Sequence, residues 1–129
     1  MRRLPEQVSP NFRLSEFRCP CCGRVVFNPL LVLGLQWLRN RIDKPIEITS
    51  GYRCFEHNAT LPMSSSKSQH LYGTAADIRV AGMTPQYLAD CAETVPYFET
   101  GGIGIYDVHV HVDVRDGKAR WDMRTKEAP

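Results

Sequence analysis

The sequence predicts an α+β fold: a small antiparallel sheet with helices packed on one face and a cluster of ionisable side chains on its open face. Three observations carry that expectation. The segment Asp107-Val-His-Val-His-Val-Asp-Val-Arg115 alternates ionisable and apolar residues, and successive side chains of a strand point to opposite faces. Asp107, His109, His111, Asp113 and Arg115 then share one face, while Val108, Val110, Val112 and Val114 take the other. Two segments with apolar residues at helical spacing open on a capping residue followed by proline, Asn28-Pro29 and Thr84-Pro85. Shorter runs, Pro45-Ile-Glu-Ile-Thr-Ser-Gly51 and Gly101-Gly-Ile-Gly-Ile-Tyr106, supply further strands.

A chain of 129 residues is one domain, spanning 1–129, with room for a real core and not for two. Its formal net charge of +2 is spread along the sequence. That distribution leaves no basic tract for nucleic acid or an anionic membrane. No stretch approaches the roughly 20 apolar residues that span a bilayer. The opening Met1-Arg-Arg-Leu-Pro-Glu6 lacks the apolar core of a signal peptide, so synthesis in the cytoplasm is expected, as is a monomer.

In chain order, residues 1–18 read as an N-terminal arm. Phe12, Leu14 and Phe17 give it enough apolar surface to lie on the domain, and Ser15-Glu-Phe17 suits one helical turn. Cys19-Pro-Cys-Cys-Gly23 follows as a turn. Asn28 caps and Pro29 opens the main core helix, 29–42, where Leu31, Leu35, Leu38 and Ile42 recur at helical spacing and Trp37 is expected to pack beside them. The 45–51 strand ends at Gly51 and presents Tyr52 and Arg53. From His57 to Gln69 a serine-rich, weakly apolar stretch reads as a loop over the site. Thr84 and Pro85 start a second helix, 85–95, with Leu88, Cys91, Ala92 and Val95 as its apolar stripe.

Ionisable groups gathered on one strand face are costly unless a cation, ligand or water satisfies them. Neutral imidazole with carboxylate is a donor set that suits zinc, and a catalytic zinc keeps three protein ligands and an open position. His70, Asp77 and His111 would make that set, with a loop at Gly73 leading into a strand that lies beside the His109–His111 strand. The five cysteines are an odd number, which argues against a disulfide framework. Cys19, Cys21 and Cys22, with Cys54, could assemble a second, structural zinc site. The competing account, reduced thiols in a turn, is favoured by the absence of another Cys-x-x-Cys.

Ser68-x-His70 followed after six residues by Asp77, then His109-x-His111 towards the C-terminus, resembles the zinc D-Ala-D-Ala carboxypeptidase family, peptidase family M15, whose broader relatives include lysostaphin-like enzymes and the amino-terminal domain of hedgehog proteins. The likeness extends to Ile48-Thr-Ser-Gly-Tyr-Arg53, His57-Asn58, Gly101–Tyr106 and Arg120-Trp121. The resemblance implies that Arg53 faces the substrate and that Ser68 hydrogen-bonds it. Arginine suits the first role because its planar fork stays charged and donates two hydrogen bonds at once. His57 could be a further histidine of the metal site, although a structural role is favoured. The family tends to carry a Gly-Gly pair where this chain has Leu61-Pro62-Met63, a departure at the substrate loop and not at the metal set.

A zinc ion held by His70, Asp77 and His111 would acidify its water towards a pKa of about 7. Many family members place an acidic residue three positions before the last histidine ligand, where this chain has Val108. His109 is therefore the expected general base, since it shares a face with His111 and titrates near neutrality. Asp107 could serve instead or orient His109, and Asp113 is expected to support the site from behind. The resemblance implies a substrate in bacterial peptidoglycan stem peptides, cleaved by a carboxypeptidase or an endopeptidase acting in the cell wall or periplasm. A phage lysis enzyme delivered by other proteins and a small housekeeping peptidase both fit. A non-catalytic zinc-containing binding domain of the same fold is the alternative. A nucleic-acid-binding zinc module would rest on the cysteines alone.

Overall fold

The computed structural model describes residues 6–61 and 67–125. The ends of the 45–51 and 101–106 runs lie just outside their strands, and seven strands are laid down among the described residues. They are β1 (Gln7–Ser9), β2 (Phe12–Arg13), β3 (Glu47–Ser50), β4 (Ala75–Arg79), β5 (Gly102–Ile105), β6 (Val110–Asp113) and β7 (Ala119–Asp122). The helices are α1 (Pro29–Ile42), α2 (Phe55–Thr60), α3 (Pro85–Ala92) and α4 (Pro96–Glu99), with 3-10 turns at Leu14–Phe17 and Gln69–Tyr72.

The capping signals act as the residues predict. Asn28 Oδ1 accepts from Leu30 N at 2.8 Å and Pro29 stands in the first turn of α1. Thr84 Oγ1 accepts from Tyr87 N at 3.1 Å ahead of Pro85. The second helix is shorter than its apolar stripe suggests. It stops at Ala92, and Pro96, which can open a helix but not continue one, starts α4. Val95 between them is still fully buried.

The main sheet has the order β3-β4-β6-β5-β7. Its first four strands are antiparallel neighbours, as expected, and β7 adds a parallel edge to β5. The sequence gives no sign of β7, because Ala119-Arg-Trp-Asp122 is too short and polar to read as a strand on its own. Ala76, Ile78, Ile103, Val110 and Val112 point into the core together with Leu31, Leu35 and Leu38 of α1 and Leu88 and Ala92 of α3. Helices α3 and α4 pack on β5 and β6, and α1 lies against both helices.

Two expectations about packing are corrected. The arm does not simply rest on the surface: β1 and β2 form a small hairpin, and Phe12, Leu14 and Phe17 are buried in the core. Trp37 is 48 % exposed and lies outside the packed stripe of α1, on the same side as Leu30 and Leu33. Four-residue spacing from Leu33 places it on the solvent face, a distinction that total hydrophobicity hides.

Candidate metal centre

Strand register builds the site. Ser50 pairs with Asp77, Asp77 with His111, His111 with Gly104, and Gly104 with Trp121. One row of residues therefore crosses all five strands on the face opposite the core. His70 enters from the 3-10 turn before β4, where Ser68 Oγ caps the turn by accepting from His70 N at 3.2 Å.

Three buried side chains converge there. His70 Nε2 lies 3.2 Å from Asp77 Oδ1, and His111 Nδ1 lies 3.3 Å from the same oxygen. The far ring nitrogens are committed elsewhere. His70 Nδ1 donates to the Gly51 carbonyl at 2.7 Å, and His111 Nε2 donates to Asp113 Oδ2 at 2.7 Å. In neutral rings those hydrogen bonds leave His70 Nε2 and His111 Nδ1 as bare acceptors, both aimed at a carboxylate oxygen that is also an acceptor. A metal cation between them, or a proton on one of the two imidazoles, reconciles three acceptors at that spacing.

The electrostatics point the same way. Burial lowers the pKa of His70 and keeps it neutral despite Asp77. Burial also opposes charge on His111, but the hydrogen bonds to Asp113 and Asp77 outweigh it and raise its pKa. In the metal-free protein a proton on His111 thus does part of a cation's work. Asp77, although buried, is held far below the usual carboxylate range by His111 and His70. The donor set of two imidazoles and a carboxylate, each imidazole fixed by a hydrogen bond behind it, fits zinc.

Asp113 is the anchor behind His111. Besides the imidazole it accepts from Gly102 N at 2.9 Å, Arg115 N at 3.0 Å and the Arg115 guanidinium at 2.7 Å. These contacts hold its carboxyl well below the usual range despite burial. The supporting role expected for Asp113 matches this geometry. The glycines of β5 serve the site in a way the sequence does not announce. A Cβ on Gly102 would lie 2.3 Å from Asp113 Oδ2, and one on Gly104 would lie 2.3 Å from the Trp121 indole. The missing side chains admit the carboxylate and the indole flat against the strand.

The remaining candidates divide. Arg53 reaches the centre: its Nη2 donates to Asp77 Oδ2 at 3.0 Å, its Nε to Ser50 Oγ at 3.1 Å and its Nη1 to Asn58 Oδ1 at 3.4 Å. His109 also reaches it, with Nε2 3.8 Å from Asp77 Oδ2 and its ring stacked on Tyr106 at 4.4 Å. Burial lowers its pKa, and the neighbouring Asp77 only partly offsets this.

Asp107 does not come to the centre, which corrects its expected place on the strand face. Ile105 pairs with Val110 and Tyr106 N donates to the His109 carbonyl, so residues 106–109 are a hairpin loop and the two-residue alternation stops at Val110. The Asp107 carboxylate instead accepts from Thr125 N at 2.8 Å and Thr125 Oγ1 at 2.7 Å. His57 sits in α2 with its N–H on the Cys54 sulfur, away from the three converging donors.

A cleft of about 690 Å³ opens over the centre. Arg53, Lys67, Ser68, Gln69, Tyr106, His109, Arg115, Trp121 and Met123 line it around His70, Asp77 and His111. Trp121 forms a wall: its ring lies 4.9 Å from that of His111, its Nε1 donates to Tyr106 Oη at 2.9 Å, and the Arg115 guanidinium lies 5.1 Å from the indole centroid. Arg115 lines the cleft on the face where the alternation places it, whereas a lining role for Tyr106, the last residue of the Gly101–Tyr106 run, was not foreseen. The loop expected from His57 to Gln69 is corrected at its start, where residues 57–60 belong to α2. Leu61, Lys67, Ser68 and Gln69 line the cleft, and residues 62–66, with two of the three residues in the Leu61-Pro62-Met63 departure, lie outside the described residues.

A protein-family model described as Peptidase M15 matches residues 10–113. No curated protein sequence matches the chain.

Proposed function

The chain belongs to the peptidase M15 family, and from that premise we propose that it is a zinc-dependent peptidase that hydrolyses peptide bonds in the stem peptides of bacterial peptidoglycan. The observation that carries this proposal is the convergence of His70 Nε2, Asp77 Oδ1 and His111 Nδ1 at the base of an open cleft, with a further imidazole beside them. A zinc ion bound there would supply Lewis acidity for the scissile carbonyl and for a water molecule.

The chain's own residues supply the rest. His109 is the proton carrier, taking a proton from the attacking water at Nε2 and returning it to the leaving amine. Stacking on Tyr106 fixes its ring, and partial burial keeps it neutral and ready to accept. Arg53 is oriented by Ser50, Asn58 and Asp77. It retains donors on its terminal nitrogens, which suit a substrate carboxylate or a carbonyl that gains charge. Ser68 already accepts a hydrogen bond from His70 N, which leaves its hydroxyl proton for substrate. A stem peptide, which offers carboxylates and amide carbonyls, complements a cleft that carries Arg53, Lys67 and Arg115.

The test pairs metal content with release of amino groups from purified peptidoglycan. Wild type is expected to hold zinc at this centre and to cleave, His111→Ala to lose both, and His109→Ala to keep zinc and lose cleavage. Zinc retained by wild type with no cleavage of any peptidoglycan would replace the peptidase with a zinc-containing binding domain. The exposed Val108, where many family members carry an acid, favours that second reading.

A further inference from the structure

The turn at Cys19–Gly23 and the start of α2 bring cysteines together on the other side of Arg53. The sulfurs of Cys19, Cys22 and Cys54 all lie within 4.8 Å of one another. Cys19 and Cys54 are buried, and Cys22 is exposed beside them. None is in a disulfide. The backbone is arranged around sulfur. Cys54 N donates to Cys19 Sγ at 3.3 Å, His57 N donates to Cys54 Sγ at 3.4 Å, and the N–H groups of Cys21 and Cys22 also turn towards the Cys19 sulfur.

The local fold explains that arrangement. Pro20 and a left-handed Gly23, with φ of 73°, close a tight loop in which Gly23 N donates to the Cys19 carbonyl at 2.9 Å and Cys19 N to the Arg24 carbonyl at 2.8 Å. Sulfur is a weak acceptor as a thiol and a much better one as a thiolate. Several N–H donors aimed at buried sulfur are therefore suited to thiolates, and three thiolates cannot be held this close without a cation between them. Soft sulfur ligands in a closed, four-coordinate setting select zinc among the common divalent ions.

We propose that Cys19, Cys22 and Cys54 bind a second zinc ion that clasps the N-terminal turn to the segment carrying Arg53. Cys21, exposed and outside the group of three sulfurs, or a water molecule would complete the fourth position. The clasp would reinforce ties that the backbone already makes. Tyr52 N donates to the Phe17 carbonyl and Arg53 N to the His70 carbonyl, so residues 51–54 are tied to the arm on one side and to the histidine turn on the other. A metal on Cys54 would fix the residue next to Arg53 and the first turn of the helix that carries Asn58, the partner of Arg53 Nη1. The proposal concerns a different set of ligands from the histidine centre and stands whether or not the protein is a peptidase.

The test uses full-length protein purified anaerobically with a reductant, so that oxidation does not compete with metal. Elemental analysis is expected to find one zinc more in wild type than in Cys22→Ser. His111→Ala should keep the thiolate-held ion and lose the other. A second readout needs no variant: Cys22, exposed and otherwise open to reagent, should resist alkylation in the zinc-loaded protein. It should be labelled at least ten times faster after chelation, while Cys91 labels at one rate throughout. Equal zinc in wild type and Cys22→Ser, or labelling of Cys22 that chelation leaves unchanged, would overturn the proposal. So would recovery of any two of the three cysteines as a disulfide from the reduced preparation.

Discussion

Asp77 and His111 stand directly opposite each other in the β4–β6 ladder, and Asp77 Oδ1 lies 3.3 Å from His111 Nδ1. Opposed residues in an antiparallel pair have their side chains on one face, a few ångströms apart. Two of the three candidate ligands are thus placed by backbone pairing alone, and only His70 depends on a turn.

The support behind His111 should be measurable as metal affinity. Asp113→Asn keeps the size of the side chain but weakens its hold on the imidazole N–H. Zinc affinity, read by competition with a chelator, is expected to fall roughly 10–100-fold. An unchanged affinity would mean that Asp113 only braces the strand.

Gly102 tests the same contact from the backbone. Gly102→Ala would place a methyl group 2.3 Å from Asp113 Oδ2. The carboxylate must move, and denaturant unfolding should show a loss of about 1–3 kcal/mol, the usual cost of overpacking. Zinc affinity should fall with it, because the anchor of His111 is displaced.

His109 sets the expected pH profile of cleavage. Its pKa is lowered from 6.5 by burial, against the pull of Asp77. The base is therefore neutral down to a pH below that of an ordinary imidazole, and kcat/KM should fall only on the acid side of 6.5. His109→Gln is expected to remove this limb and to cost roughly 10²–10⁴-fold in rate while zinc stays bound. A limb that survives the substitution assigns the base elsewhere.

Acid should unfold the metal-free protein through its buried carboxylates. Asp77 and Asp113 both titrate below their unfolded value of 3.8. The unfolded chain then binds protons first, so their contribution is complete above about that pH and is lost as pH falls towards the folded values. The urea midpoint should drop steeply below pH 4, and less steeply in Asp113→Asn.

The arm's place in the core can be checked directly. Phe12→Ala removes a ring that is 1 % exposed and should cost about 3–5 kcal/mol in urea unfolding. A loss below 1 kcal/mol would return residues 7–17 to the status of a surface appendage.

Much of this architecture was legible because it is written in local terms. Asn28-Pro29 and Thr84-Pro85 announce their helices through the chemistry of one turn, and the period of two in Val110–Val114 assigns His111 and Asp113 to the face away from the core. His70, Asp77 and His111 were legible by residue type and order. What escaped depends on contacts that are distant in sequence or on where a pattern stops. Asp107 continues the alternation in the sequence, but the hairpin loop breaks it before His109. Phe12 and Phe17 look like modest apolar residues in a short arm, and only the tertiary fold shows that they complete the core. Trp121 belongs to a strand that exists because β5 offers it an edge, and no period in Ala119–Asp122 reveals that.

The parallel strand β7 separates the wall of the cleft from its base along the chain. The three donors that converge at the base of the cleft all precede residue 113, where the family match ends. The indole that walls the cleft belongs to Trp121, eight residues further on, and lies against the Gly104 backbone. A change at Trp121 would thus alter the wall of the cleft without removing any of the three converging donors. The base of the cleft and its side are coded by separate stretches of the chain, so that one can diverge while the other is kept.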